Sequence, residues 1–310
     1  MTKDIRLRIT LLVVLFTSNT TLFAQDKWPG VILYNLEFNG ISKELIIDPA
    51  VRVSKGEFSY PLPIPPDSWD REDSKKILQS YFDKFNKAEY PKGRKIQIYI
   101  DGTKAGTAQI KGLDTVNSCS PVVSEIRAVF DDSLNHPFRG HGLAISGLPP
   151  RKPILSFPID STLERSLAEY GKAEFIRRGV STTIAAQMEI KNLRAIDIDN
   201  DGTPEYLADF FIIGEDVKRG DLETNIQYSL SVILKRSNLE LKPVFIHYPD
   251  PGIGEDTHLY KFIDVIDLDG DGNCEILVQQ IISMSSWNYI LLKKKGNTWE
   301  SFYEGAGSGC

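Results

Sequence analysis

Apolar and polar residues alternate along Lys95-Ile-Gln-Ile-Tyr-Ile100, the period of two that a half-buried strand requires. Asp101-Gly102 turns this stretch back into 107–110, which predicts a hairpin. Residues 31–34 and 44–48 read as earlier strands, and 124–130 as a later one. Between them the period changes. Ile77, Tyr81 and Phe85 fall at i, i+4 and i+8, with Leu78 and Phe82 beside them, so 68–87 predicts a helix with an apolar stripe for the core. Pro61, Pro63, Pro65 and Pro66 break regular structure before it. Residues 25–150 thus read as a small α+β domain.

Clustered Gly and Pro at 147–153 mark a boundary. A linking helical segment over 151–188 follows. Ser161 and Glu164 have capping-box spacing, so a helix is predicted to begin at Ser161 and to end near Gly179, with Arg177 and Arg178 in its last turn. A shorter helical stretch covers 182–188.

From 189 onward the pattern repeats about every seventy residues. Leu193 aligns with Ile263, Ile196 with Ile266, Glu205 with Glu275, and Leu207 with Leu277. Each copy reads as an acidic loop followed by three strands: 206–213, 228–234 and 244–247 in the first, 276–282, 287–292 and 299–303 in the second. Lys295-Gly-Asn297 supplies the last turn. The expected fold class is α+β and mostly β: a small N-terminal unit, a linking helix, and antiparallel β repeats over 189–310.

The two loops are Asp197-Ile-Asp199-Asn-Asp201-Gly202-Thr203-Pro-Glu205 and Asp267-Leu-Asp269-Gly-Asp271-Gly272-Asn273-Cys-Glu275. Both read D-x-D-x-D-G-x-x-E, with carboxylates at positions 1, 3, 5 and 9. Four acidic side chains within nine residues repel one another unless a cation sits between them, and a hard divalent cation such as Ca²⁺ seeks six to eight oxygen ligands. The glycine at position 6 allows a sharp inward turn. An acidic surface turn without metal is the plain alternative. A helix–loop–helix calcium hand would need a bidentate Glu at position 12. Ala208 and Val278 stand there, and the segments after the loops are β-branched and aromatic.

The pattern resembles the FG-GAP/VCBS-type calcium repeats, whose signature is D-x-D-x-D-G-x-x-[DE] followed by an apolar strand. The resemblance covers about residues 190–303. By position it implies side-chain ligands from Asp197, Asp199, Asp201 and Glu205 with the carbonyl of Thr203. In the second loop it implies Asp267, Asp269, Asp271 and Glu275 with the carbonyl of Asn273. Both loops carry Glu at position 9, where Asp is common in the family. The Phe-Gly and Gly-Ala-Pro elements are absent, and two copies are too few for a complete propeller.

Residues 1–24 have the layout of a cleaved secretory leader: Lys3, Arg6 and Arg8, then an apolar run over 9–16, then Ala24. That run is short of the ~20 residues that span a bilayer. An exported protein, periplasmic or extracellular and without membrane insertion after cleavage, is expected. Cleavage would leave a chain more acidic than the −6 of the whole sequence, which argues against nucleic acid as a partner. A protein or carbohydrate partner is the expectation. Cys119, Cys274 and Cys310 allow three pairings. An up-down-up meander after Cys274 would put Cys310 on the opposite sheet edge, about 30 Å away, so Cys119–Cys310 is the favoured bridge.

Evidence for catalysis is thin. His136 and His141 lie five apart near Asp131 and Asp132, where a transition-metal site is conceivable but loop or packing histidines are the plain reading. No G-x-S-x-G elbow appears, and neither Cys119 nor Cys274 has a neighbouring His in sequence. Trp28, Trp69, Trp287 and Trp299 could form a sugar-stacking platform or serve singly as core aromatics. The leading expectation is a non-enzymatic, calcium-stabilised interaction or structural module; the alternative is a secreted hydrolase with an unrecognised site in 25–150.

Overall fold

A computed structural model of the chain describes residues 31–38, 44–55, 57–62, 73–113, 126–130, 141–146, 154–213, 226–237, 240–249, 258–283 and 286–309. The leader, the boundary at 147–153, Trp28, Trp69, Cys119, His136 and Cys310 lie outside the described residues, and with them the Cys119–Cys310 bridge.

The first region comprises β1 (Val31–Phe38), β2 (Glu44–Ser54), β3 (Glu57–Ser59), α1 (Ser74–Glu89), β4 (Lys95–Ile100), β5 (Thr103–Leu113), β6 (Ile126–Phe130) and β7 (His141–Ser146). Its strands are ordered β1-β7-β4-β5-β6-β2-β3, and β1 also pairs with β2. Six antiparallel strands therefore close into a barrel, with β3 hanging on β2. Closure leaves those six no free edge. Period-two alternation then sorts the side chains. Ile32, Tyr34, Leu36, Ile96, Ile98, Ile100 and Ala144 fill the interior together with Phe82 and Phe85 of α1. Their neighbours Leu33, Tyr99, Leu143 and Ile145 face outward into a second core. Strands buried on both faces lose the polar beat, which is why β7 escaped the sequence pattern.

Next come α2 (Ser161–Arg177) and α3 (Thr182–Ala185). The cap of α2 differs from the expected one. Asp160, not Ser161, is the N-cap, its Oδ1 accepting the Leu163 N–H at 2.7 Å. Both are good cap residues; the carboxylate also complements the positive helix end.

Each repeat has one strand more than its pattern predicted. The first contains β8 (Glu189–Ile196), β9 (Glu205–Ile213), β10 (Ile226–Ser237) and β11 (Glu240–His247); the second contains β12 (Leu259–Ile266), β13 (Glu275–Ser283), β14 (Ser286–Lys295) and β15 (Thr298–Gly309). Each forms a four-stranded antiparallel meander, and the acidic loop joins its first two strands. The additional strands, β8 and β12, precede the loops.

The layers stack in one direction. Leu167 and Phe175 of α2 cover Tyr206, Ala208, Phe210 and Val232 on one face of the first sheet. Its other face, with Leu207 and Ile233, packs on Ile276, Val278, Ile290 and Leu292 of the second sheet. The far face of the second sheet, with Leu277, Tyr289 and Leu291, packs on the outward residues of the barrel. Trp299 is buried between the two sheets and Trp287 lies against the barrel, its Nε1 3.4 Å from Asp48 Oδ2. These two sit on different layers and make no common platform.

Polar clasps cross both junctions. Asp209, fully buried on β9, accepts from Asn192 Nδ2 at 3.1 Å and from the Phe262 N–H of the other sheet at 3.0 Å. Ser231 Oγ stands 2.6 Å from Asp209 and 3.0 Å from the Tyr260 carbonyl. Burial pushes the Asp209 carboxyl up to about 6, with the hydrogen bonds from Ser231, Asn192 and Phe262 pulling it back. The folded chain thus takes up a proton here that the unfolded chain, with an ordinary carboxyl, takes up only at lower pH. The sign follows: this group favours folding below about pH 4 relative to neutral pH, and its contribution is lost as pH rises through 6. Asp209→Asn removes the titration while its amide oxygen can keep the Phe262 and Asn192 bonds. Chemical-denaturation midpoints measured from pH 4 to 8 should show the variant gaining on the parent, on the order of 2–3 kcal/mol across the window. A pH-independent difference would refute the assignment.

Candidate metal centres

The acidic loops sit side by side at one end of the two stacked sheets. In each, two backbone positions turn left-handed: Asn200 (φ 55°) and Gly202 (87°) in the first, Gly270 (79°) and Gly272 (94°) in the second. Only Gly and Asn adopt this region at low cost, so position 4 of the motif is constrained as well as position 6. The sequence carries this signal as Asn200 and Gly270, outside the carboxylate pattern.

The turns wrap backbone N–H groups around the first carboxylate. Asp197 accepts from Asp201 N and Gly202 N, each at 3.0 Å; Asp267 accepts from Gly270 N at 2.7 Å. The ninth residue reaches back across its loop. Glu205 accepts from Ile198 N at 3.1 Å, and Glu275 from Leu268 N at 2.8 Å. The loops also bind each other: Cys274 N–H donates to the Ile198 carbonyl at 2.9 Å, and Asn200 Nδ2 donates to the Gly272 carbonyl.

Oxygens of Asp197, Asp199 and Glu205 lie within 4.8 Å of one another, as do those of Asp267, Asp269 and Asp271. Seen against the expected ligand sets, each loop gathers three of its four carboxylates this tightly. Asp201 and Glu275 stand outside those groups but within the same ion-pair networks. Thr203 and Asn273, expected through their carbonyls, bond Asp201 and Asp271 through their N–H groups at 2.9 and 2.8 Å and through their side chains. Positions 1 and 9 are buried in both loops, while Asp201 and Asp271 are exposed.

Three lysines that sequence reasoning missed complete the arrangement. Lys235, paired with Glu205 across β9 and β10, places Nζ 2.9 Å from Asp199, 2.6 Å from Asp201 and 2.7 Å from Glu205. Lys293, one residue beyond the Ile276–Leu292 pair, meets Asp269, Asp271 at 3.0 Å and Glu275 at 3.4 Å. Lys294 adds a second ammonium at 2.6 Å from Asp199. The available signal was a lysine after the apolar run of each second strand. Unequal connections before those strands hid it, because the two lysines do not fall seventy residues apart.

Electrostatics divides each loop into a deep and a shallow half. Burial raises the Glu275 carboxyl to about 7 and pushes Glu205 up as well. The Lys235 hydrogen bond, with help from Thr203, holds exposed Asp201 well below its ordinary range. At Asp199 burial would raise the carboxyl, but hydrogen bonds from Lys294 and Lys235 outweigh it. Asp199 Oδ1 is buried, in a side chain only 4% exposed, with no hydrogen-bond partner among the described residues. A buried acceptor left open in this way is costly, and a cation among these oxygens would meet it. The oxygen-only donor set suits a hard divalent ion.

Outside the loops, His141 starts β7 half-buried, and burial with Lys261 and Arg194 lowers its imidazole to about 3. Comparison with protein-family models, with curated proteins and with solved structures finds no match to this chain. Among the described residues no helix is long and apolar enough to cross a membrane.

Cys274 ties this end of the molecule to the inter-sheet core. It is fully buried, and burial together with Asp267 and Glu275 pushes its thiol far above the ordinary range. Under native conditions an alkylating reagent should leave the Cys274 peptide unmodified by mass spectrometry, with complete modification in denaturant. Equal modification in both conditions would show that the loop end opens readily.

Proposed function

We propose that residues 189–309 form a calcium-stabilised pair of β repeats of the FG-GAP/VCBS type, in an exported protein that serves as a non-enzymatic interaction or structural module. The observation that carries the reading is the buried carboxylate trio in the first loop with an open Asp199 oxygen, repeated as an acidic trio in the second. Asp197, Asp199, Asp201 and Glu205 would hold one ion, and Asp267, Asp269, Asp271 and Glu275 the other, with carbonyls of Thr203 and Asn273 completing the sets. The ion supplies charge compensation and fixes the loops that join the first two strands of each sheet. The predicted leader and acidic charge fit a setting in which calcium modules bind with Kd of about 10⁻⁴ to 10⁻³ M. A protein or carbohydrate remains the proposed partner. For the N-terminal unit, the packed barrel interior supports a structural role over a hydrolytic one.

At calcium tenfold above Kd, each site adds roughly 1.4 kcal/mol to the stability of the folded state. Thermal melts of the chain should therefore rise by several degrees on adding calcium and fall back with EDTA. Isothermal titration should lose its heat in the Asp199→Ala, Asp269→Ala double variant. Identical melts with and without calcium would overturn the metal reading; undiminished heat in the double variant would move the sites elsewhere.

A further inference from the structure

Lys235 and Lys293 hold corresponding stations in the two repeats, each on the third strand of its meander at the level of the position-9 glutamate. An ammonium has three donors and no acceptor, and each of these meets three carboxylates, from positions 3, 5 and 9 of its loop. Those are three of the four carboxylates assigned to the metal. A calcium ion would take the same oxygens at 2.3–2.6 Å, so ammonium and metal exclude each other from one centre. Their side chains are 29% and 28% exposed, which lets each lysine swing into water without disturbing its strand. The first loop is the more heavily compensated, since Lys294 also binds Asp199 Oδ2, the oxygen that Lys235 approaches.

We propose that Lys235 and Lys293 are tethered occupants of the two carboxylate clusters, that a divalent cation enters by displacing them, and that the second loop, opposed among the described residues by one ammonium where the first is opposed by two, fills at the lower concentration. This rests on the metal reading and states what governs it. The lysines make the metal-free loops tolerable by separating carboxylates that would otherwise repel, and for the same reason they set the metal affinity. Binding is an exchange of cations, so the repeats stay folded in both states, and the loops change which cation they hold.

The test is calcium titration by calorimetry of the whole chain, its Lys235→Met and Lys293→Met variants, and Lys235→Arg as a charge-conserving control. The parent should bind in two steps. Lys293→Met should tighten the first step and Lys235→Met the second, each about tenfold, the change that about 1.4 kcal/mol of lost competition produces. Lys235→Arg should stay near the parent. Lysine side-chain NMR of the parent gives a readout that needs no variant: the ε-methylene signals of Lys235 and Lys293 should move as calcium is added, Lys293 first. Calcium binding by the methionine variants alone would also support displacement. Unchanged or weaker binding in those variants would overturn the exchange and leave the metal reading standing. Tightening of the first step by Lys235→Met would overturn the order. Lysine signals unmoved at saturating calcium would overturn displacement even if the variants fail to fold. Absence of calcium binding in every form would end both readings.

Discussion

Asp264 has no exposed surface, yet its carboxylate meets groups from three parts of the fold. The N–H groups of Asp101 and Gly102, at the β4–β5 turn of the barrel, donate to it at 3.1 and 3.2 Å. Its own sheet supplies the Val265 N–H at 2.8 Å, and the first sheet supplies the Arg194 guanidinium at 3.1 Å. Arg194 in turn lies 3.4 Å from Asp101. Burial pushes the Asp264 carboxyl up, while Arg194 pulls it down and Asp101 pushes it further up. A buried charge of this kind is tolerated only when its lone pairs are filled, and removing one partner strands the others. Barrel, first sheet and second sheet thereby meet at one carboxylate, and sliding any of them would pull its donor away. The Asp101-Gly102 turn has the right backbone for this joint. Both residues have positive φ, 50° and 66°, which aims consecutive N–H groups the same way.

Fixing that register places the acidic loops. The Cys274 to Ile198 hydrogen bond and the Asn200 contact to Gly272 both require the two sheets to be level at their loop ends. The same alignment lets Lys294, on the second sheet, reach Asp199 on the first. Two quadruply acidic turns therefore lie side by side, an arrangement that Coulomb repulsion opposes unless cations are interleaved. Lys235, Lys293 and Lys294 interleave them. A divalent ion can take over that role with a denser charge, at positions where Glu205 and Glu275 are already stripped of water.

The sequence made the loops and the strands behind them legible because both depend on local chemistry: carboxylate spacing, a left-handed glycine, and β-type runs at 206–213 and 276–282. The apolar stripe of the helix, which puts Phe82 and Phe85 in the barrel core with Leu78 and Tyr81 against it, and the Asp-Gly hairpin were readable for the same reason. Features set by tertiary contact were not. β7 carries apolar residues on both faces because barrel and second sheet lie on either side of it, and such a run has no period to detect. β8 and β12 begin with mixed polar residues whose partners are distant: Asn192 bonds Asp209 and the Phe262 carbonyl, and Arg194 and Asp264 belong to the central joint. The lysines at the loops were invisible because cross-strand pairing, not sequence distance, brings them there.

The two repeats also explain why the chain carries a barrel and a linking helix at all. Matching positions face the same way: Ala208 looks toward α2 where Val278 looks toward the first sheet, and Leu207 looks toward the second sheet where Leu277 looks toward the barrel. The sheets are thus stacked by translation, each front against the next one's back. A stack of that kind never closes on itself, and its two outer faces stay apolar unless something of different structure covers them. Here α2 covers the front of the first sheet and the barrel covers the back of the second. Divergence between the copies follows from this. Ser231, paired with Asp209, faces a sheet with free backbone groups to bond; its counterpart Tyr289, paired with Gln279, faces the barrel and reaches Asp48 at 2.7 Å and Asn35 at 3.0 Å instead. The strand faces differ because each meets a different neighbour, while the loops, gathered at one end of the stack, meet chiefly each other and their lysines and share one pattern.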